Sequence, residues 1–134
     1  MQIDFFEVRA SDDFTKSLDR LTRKKRFFSL PDQISELVTA FREGRFEGER
    51  ITQTNTPMIA DVYKMRLPNP DANIGKSGGY RVIYIVVTEV RIVVFLALYF
   101  KKEEADLPDP YIKGLIDGCL LDLLEDNEHM DRQQ

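Results

Sequence analysis

Apolar and polar positions in the first half of the chain predict one strand followed by two helices. Residues 2–8 read QIDFFEV, and such β-branched and aromatic residues are typical of a strand. Ser11 is placed to cap a helix, and Phe14, Leu18 and Leu21 recur behind it at helical spacing. A second helix follows at once, so we expect an antiparallel helical hairpin.

The second helix has clear start and stop signals. Pro31 stands in its first turn and Gly44 follows its last one. Its apolar stripe consists of Ile34, Leu37, Val38 and Phe41. This stripe is the face that we expect to pack on a sheet.

The second half of the chain predicts three strands and a last helix. The polar segment 45–60 is predicted to be irregular, and the segment 68–79, rich in Pro, Asn and Gly, is predicted to be a loop. Three strands are predicted over residues 61–67, 80–87 and 91–100. A last helix begins at Pro108 and Pro110. The order β-α-α-β-β-β-α predicts an α+β domain, with the helical hairpin and the C-terminal helix packed on one face of a small, largely antiparallel sheet. The other sheet face would stay open, and we expect function there.

Composition indicates one intracellular domain. With 134 residues, the chain predicts a single domain over 1–124 and an acidic tail, 125–134, that frays. Cys119 is the only cysteine, which excludes an internal disulfide and agrees with a reducing cytoplasm. The longest apolar run, Ile92–Phe100, is too short to cross a bilayer as a helix. The N-terminal residues do not read as a signal peptide, so we expect a cytoplasmic protein without a membrane partner.

Charge is distributed unevenly along the chain. Residues 1–102 carry 17 Lys/Arg and 13 Asp/Glu, a net +4, whereas residues 103–134 carry 2 and 10, a net −8. The basic part includes a cluster at Arg23, Lys24 and Lys25. That cluster is either a solvated helix face or a surface that follows the phosphates of a nucleic acid.

Strand alternation predicts which basic residues share the open face. Lys64 and Arg66 point to the same side of their strand, away from Tyr63, Met65 and Leu67. In the last strand, Leu96, Leu98 and Phe100 would share one face, and Ala97, Tyr99 and Lys101 the other. Alternation thus favours Lys101 over Lys102 for the open face. It leaves Arg81 undecided, because both faces of its strand are apolar.

Three segments together resemble the RelE/HigB superfamily of toxins from type II toxin–antitoxin systems. They are the cationic strand with Lys64 and Arg66, the strand GKSGGYRVIY with Arg81, and the apolar strand ending YFKKEEADL. The preceding strand and helical hairpin fit the same layout. The resemblance is strongest over residues 61–107.

The resemblance implies a small endoribonuclease, an mRNA interferase, that cuts mRNA without a metal or other cofactor, commonly in the ribosomal A site. The basic residues that match the family's are Lys64, Arg66, Arg81 and Lys101 or Lys102. Apart from the resemblance, we predict that RNA is contacted by Lys102, Lys76, Arg23, Lys24 and Lys25. RelE-type members also carry a tyrosine after the last basic residue, where this chain has Leu107 and Pro108. Tyr99 and Tyr111 lie on either side of that place, and other members use histidine or aspartate, so the general base stays open.

The chemistry suggests a role for each candidate. Cleavage by the 2′-OH needs a base, cations on the phosphorane oxygens and an acid for the leaving oxygen. Arg66 and Arg81 can bind phosphate oxygens bidentately and stabilise the transition state. Lys64 is the first candidate for the base, since nearby cations favour its neutral form. Lys101 would be the acid or a phosphate clamp, and Tyr99 could stack on a base or relay a proton.

Two other functions stay open. ParE-like relatives share the architecture but bind gyrase, and for that function the basic residues would be dispensable. The other alternative is a non-catalytic, degenerate binding module of the same fold. The acidic C-terminal segment either repels RNA or folds over the basic face as a built-in competitor. The resemblance further implies a cognate antitoxin that covers the basic face and supplies any DNA contact; ribosome dependence stays open.

Overall fold

The computed structural model describes the backbone of residues 5–133 and the side chains of residues 5–126. Its elements are β1 (Glu7–Ala10), α1 (Asp12–Asp19) with a π-helical turn (Arg20–Lys24), α2 (Leu30–Arg42), β2 (Glu49–Thr54), β3 (Ala60–Leu67), β4 (Tyr80–Val87), β5 (Ile92–Phe100) and α3 (Asp109–Gln133). As predicted, Ser11 caps α1, since its hydroxyl accepts a hydrogen bond from the Phe14 amide at 3.1 Å. The α+β class is confirmed.

The strands form one sheet in the order β1-β5-β4-β3-β2. The short strand β1 pairs in parallel with β5, and the other neighbours are antiparallel. The predicted strand over residues 2–8 is displaced, because β1 covers Glu7–Ala10 and residues 2–4 lie outside the described part of the chain.

The strand β2 corrects the prediction of an irregular segment over residues 45–60. Its sequence, ERITQT, has no apolar alternation, and its side chains are almost all exposed because it lies at the sheet edge. The backbone pairing with β3 holds it in place, from Glu49 opposite Lys64 to Thr54 opposite Ala60. Hydrophobic patterning cannot detect a strand that buries neither face.

The two faces of the sheet carry separate cores. The hairpin α1–α2 covers one face, where Phe14, Leu21 and Phe41 pack on Tyr84 and Phe95. The other face carries a second core built by α3, whose members on the helix are Ile116, Leu120 and Leu123. Placing all helices on one face was therefore wrong for the C-terminal helix. The physical reason is that β4 and β5 are buried along their whole length, so both of their faces need cover.

A bulge in β5 breaks its alternation. The pairing with β4 shifts between Ile83, opposite Ala97, and Tyr84, opposite Phe95. As a result Leu96 joins the α3-side core together with Ala97, although alternation predicted it opposite. Beyond the bulge the prediction is confirmed: Leu98 packs in the hairpin-side core and Tyr99 in the α3-side core.

The sequence predicts that residues 125–134 fray. In the structure, the backbone of residues 125–133 continues the helix α3. Asp126 near its end lies 3.0 Å from the guanidinium of Arg9 in β1. Among residues 5–133, no helix combines the length and the apolar character that a membrane crossing requires.

Candidate active site

Cationic side chains from β3, from β4 and from the loops beside them meet in a cleft of about 410 Å³ next to the β2 edge of the sheet. Register aligns them, because Arg66 in β3 lies opposite Arg81 in β4, and Arg81 lies opposite Tyr99 in β5. We call these three residues the cross-strand row. Lys64, Lys76 and Lys101 also line the cleft, together with the carboxylates of Glu47, Glu49 and Asp106. The prediction that Lys64, Arg66 and Lys101 share one side of the sheet is confirmed, and the register now places Arg81, which alternation left undecided, beside them.

Close packing of the backbone forms the floor of the cleft. Gly48, with φ +112°, precedes β2, and a Cβ there would lie 2.6 Å from the Lys64 carbonyl oxygen. On the β4 side, a Cβ on Gly79 would lie 2.1 Å from the Leu67 carbonyl oxygen. The two glycines therefore let the segments that carry the site residues approach β3.

Asp106 lies at the centre of the polar contacts. Its Oδ2 is 2.9 Å from Lys101 Nζ, and its Oδ1 is 3.4 Å from Lys64 Nζ. The Tyr99 hydroxyl donates a hydrogen bond to the same Oδ1 at 2.9 Å. Hydrogen bonds from Lys101 and Tyr99 and the charge of Lys64 hold the pKa of Asp106 well below its ordinary value of 3.8. Asp106 is thus an anion at any physiological pH.

Tyr99 is a buried donor. Its side chain is 2% exposed, and burial, followed by the hydrogen bond to Asp106, raises the pKa of Tyr99 well above its ordinary value of 10. The hydroxyl therefore stays protonated at neutral pH. It can donate a hydrogen bond or a proton, but it is not a base.

Arg81 is fixed by the loop that precedes it. Its guanidinium donates from Nη1 to the carbonyls of Lys76 at 2.8 Å and Tyr80 at 3.3 Å, and from Nη2 to that of Ser77 at 2.7 Å. The residue is 4% exposed. These contacts leave Nε and one Nη2 hydrogen for another acceptor, and they hold the loop against the cleft.

Arg66 and Lys76 complete the cationic rim. Arg66 is exposed, and among residues 5–126 no side chain or backbone group pairs with its guanidinium. Lys76 lines the same cleft, while Lys102 does not. Lys101 is therefore the lysine of the terminal pair that belongs to the site, as alternation predicted.

The basic cluster near α1 lies outside the cleft. Arg23 pairs with Asp19 at 2.9 Å, and Lys25 pairs with Glu103 in the turn after β5. Lys24 is exposed. These residues therefore do not belong to the candidate active site. Their contact with RNA stays a prediction.

Sequence reasoning missed Asp106. The only signal was its position in the acidic turn after β5, which also contains Glu103 and Glu104. Nothing in the pattern indicates which of the three acids turns back to the lysines. The contact also changes the electrostatic environment of Lys64. The hypothesis that Lys64 is the base assumed cationic neighbours, but its ion-pair partner is the Asp106 carboxylate.

Tyr111, the other tyrosine considered for the base, does not line the cleft. The Tyr111 hydroxyl donates to Asp13 on α1 at 2.9 Å. The side chain of His129 is outside the described residues. Within the described side chains, no three His, Cys, Asp or Glu residues form a group that could hold a metal ion.

The arrangement defines a class of site: a cleft lined by lysine and arginine side chains, with a buried tyrosine hydroxyl that donates to one of its carboxylates. No protein-family model matches the chain, and no curated protein does. Solved structures do match. The chain is similar to the isolated RelE toxin of E. coli, at 19% identity, with 84% of this chain and 97% of that chain covered and a TM-score of 0.47.

Two complexes are also among the similar structures. One is the archaeal RelE–RelB complex from Pyrococcus horikoshii, at 23% identity, with 75% and 99% coverage and a TM-score of 0.42. The other is the toxin–antitoxin complex RelBE2 from Mycobacterium tuberculosis, at 16% identity, with 75% and 97% coverage and a TM-score of 0.45. These are the toxins that the sequence motifs resemble. At such identities and TM-scores, the function proposed next rests on the site itself.

Proposed function

We propose that this chain is the toxin of a type II toxin–antitoxin system and an endoribonuclease that cuts mRNA by attack of the 2′-OH on the adjacent phosphate. The observation that carries the proposal is the cross-strand row, Arg66, Arg81 and Tyr99, with Lys64 and Lys101 beside it in one cleft. With Lys76, five cations line this cleft, and the buried Tyr99 hydroxyl lies beside it. Such a set suits a phosphodiester that gains negative charge in its transition state.

Each residue has a role that its contacts allow. Arg66 has a free guanidinium and would bind a phosphate oxygen bidentately. Arg81 would offer its remaining Nε and Nη2 hydrogens while it holds the loop with Lys76 in place. Tyr99 would donate to the phosphate or pass a proton to the leaving 5′ oxygen, and Lys101 would act as acid or clamp.

The partner in this proposal is a cognate antitoxin. The similar structures from Pyrococcus horikoshii and Mycobacterium tuberculosis are complexes with an antitoxin. For this chain, an antitoxin segment that carries carboxylates would complement the cleft. The site would then be blocked until the antitoxin is lost.

The test is induced expression in a bacterial host with primer extension on a reporter mRNA. The informative variant is Arg66→Ala, because the Arg66 side chain makes no hydrogen bond or ion pair within residues 5–126. Arg81→Ala would also release two loop carbonyls and the carbonyl of Tyr80. Arg42→Ala in α2 is the matched control, since it removes an exposed arginine on the hairpin side of the sheet. We expect growth arrest and new 5′ ends for the wild type and Arg42→Ala, and neither for Arg66→Ala.

The other outcomes each contradict the proposal. Growth arrest without new mRNA ends indicates a gyrase-type target. Absence of arrest for the wild type, with the protein folded and expressed, indicates a non-catalytic binding module. Full mRNA cleavage by a folded Arg66→Ala variant would contradict the proposed role of the cross-strand row in cleavage.

A further inference from the structure

Three hydrogen-bond donors from different parts of the site converge on a single carboxylate. Lys101 Nζ contacts one oxygen of Asp106, while Lys64 Nζ and the Tyr99 hydroxyl contact the other. Convergent ammonium and hydroxyl groups are how proteins bind oxyanions, and they are not specific to carboxylates.

The geometry points to an anion subsite formed by Lys64, Lys101 and Tyr99, in which Asp106 holds the place of a substrate phosphate. The identity of that phosphate as one of RNA rests on the proposed function; the subsite itself does not. Asp106 then sets the affinity of the cleft, because an entering phosphate must displace it from the two lysines.

The position of Asp106 in the chain allows this displacement. Residues 105–108 form an irregular connection between β5 and α3, and no backbone hydrogen bond holds Asp106 there. Its side chain is 51% exposed, while those of Lys64 and Lys101 are 26% and 33% exposed. The carboxylate can therefore swing into solvent without unpacking a core.

The energies make the exchange reversible. Ion pairs that solvent reaches contribute about 0–1 kcal/mol each. The hydrogen bond from the Tyr99 hydroxyl adds about 1.5–3 kcal/mol, and an entering anion regains it because it accepts from the same hydroxyl. Inorganic phosphate carries more charge and more acceptor oxygens than a carboxylate and can compete at moderate concentration. A phosphodiester of RNA has the same single charge as the carboxylate and competes through its additional contacts with the cleft. The charge distribution suggested that the acidic C-terminal segment competes with RNA for the basic face. In this inference the competitor is the single residue Asp106, whereas Asp126 of that segment pairs with Arg9 in β1.

The test compares Asp106→Asn with Glu104→Gln. Both remove one negative charge from the turn after β5, but Glu104 makes no side-chain hydrogen bond or ion pair with the described residues. The probe is inorganic phosphate, titrated at low salt and followed calorimetrically, with a melting curve for each variant. We expect Asp106→Asn to bind phosphate about tenfold more tightly than the wild type, and Glu104→Gln to stay within about twofold of it.

A second variant keeps the inference testable if Asp106→Asn does not fold. Lys101→Met removes one donor of the subsite and should weaken phosphate binding about tenfold. Equal phosphate affinity for the wild type and Asp106→Asn, or for the wild type and Lys101→Met, would overturn the subsite.

Cleavage by the same proteins separates this inference from the proposed function. If Asp106→Asn binds phosphate more tightly but the wild-type protein does not cut RNA, the anion subsite is supported and the proposed ribonuclease activity is contradicted. Lost cleavage with unchanged phosphate binding makes Asp106 a catalytic base instead and sinks the subsite, while the nuclease stands.

Discussion

Asp106 shows how one residue determines the charge state of the whole site. It is an anion in contact with two lysines and a tyrosine, and it keeps the Tyr99 hydroxyl in the donor role. Without it, the cations of Lys64 and Lys101 would face each other without a counter-ion. Two predictions at the residue scale follow from these contacts.

The first prediction concerns acid stability. The pKa of Asp106 is lowered in the folded protein, so its ionised form stabilises the fold at pH values above the unfolded value of about 3.9, and this stabilisation is lost as the pH falls below it. In Asp106→Asn this pH-dependent contribution is absent. As the pH is lowered from about 5 to about 2, the free energy of unfolding should therefore decrease less in the variant than in the wild type. The difference should reach at most about 1 kcal/mol, because the carboxylate is half exposed.

Chemical denaturation at a series of pH values measures the effect. Glu104→Gln is the control and should follow the wild-type curve. A constant difference between Asp106→Asn and the wild type at every pH would show that the contacts of Asp106 do not favour its ionised form.

The second prediction concerns the Tyr99 hydroxyl. If it donates to the scissile phosphate or its leaving oxygen, Tyr99→Phe should lower the rate of single-turnover mRNA cleavage about 100-fold. Tyr111→Phe is the matched control, because it also removes a hydroxyl that donates to a carboxylate, on α1 rather than in the cleft. Equal rates for the two variants would exclude Tyr99 from the reaction.

At the scale of single elements, sequence patterns predict what is buried better than what lies at an edge. The helices α1 and α2 and the strands β3, β4 and β5 follow from apolar spacing, because each buries at least one face. The strand β2 is held by backbone pairing and by the contacts of Arg50 and Gln53 with Asp61 in β3. The bulge at Leu96 depends on the fit of β5 to β4. Neither leaves a trace in hydrophobic periodicity.

The approach of the 75–79 loop to β3 gives a prediction at this scale. A Cβ on Gly79 would meet the Leu67 carbonyl oxygen at 2.1 Å, whereas a Cβ on Gly75 meets nothing within 4 Å. We expect Gly79→Ala to lower the free energy of unfolding by about 2 kcal/mol or more, and Gly75→Ala to change it by less than about 0.5 kcal/mol. Urea denaturation of both variants measures this, and similar values for the two would contradict the close packing.

The placement of α3 can be tested in the same way. Leu120 is 1% exposed against the second sheet face, and its neighbour Leu121 is 56% exposed. Leu120→Ala should cost about 2–5 kcal/mol of the free energy of unfolding, because it leaves a cavity between helix and sheet. Leu121→Ala should cost less than about 0.5 kcal/mol. If both were equally mild, α3 would not be packed on the sheet in solution.

For the whole molecule, the sequence predicts the cationic half of the site but not its anionic half. Alternation places Lys64, Arg66 and Lys101 on one face because strands are regular. The burial of Arg81 under loop carbonyls and the return of Asp106 to the lysines depend on how the loops after β3 and β5 fold back. Such contacts arise from tertiary structure, which local patterns do not encode.

The same distinction explains the helices. Their existence is predictable from spacing, but which face of the sheet receives α3 depends on the space that the hairpin leaves. The hairpin fills one face with aromatic side chains, and β4 and β5 present a second apolar face to α3. The cleft lies on the α3 side of the sheet next to β2, where Tyr99 is buried in the α3-side core and Arg66 stays exposed.

The most direct test of the proposed ribonuclease is the dependence of cleavage on a single 2′-OH. A reporter mRNA with a 2′-deoxy nucleotide at the mapped cleavage position is translated in a bacterial extract with the wild-type protein, next to the unmodified mRNA. The proposed mechanism predicts a cut with a 5′-OH end in the unmodified mRNA and no cut at the deoxy position. Equal cleavage of the two mRNAs would contradict attack by the 2′-OH.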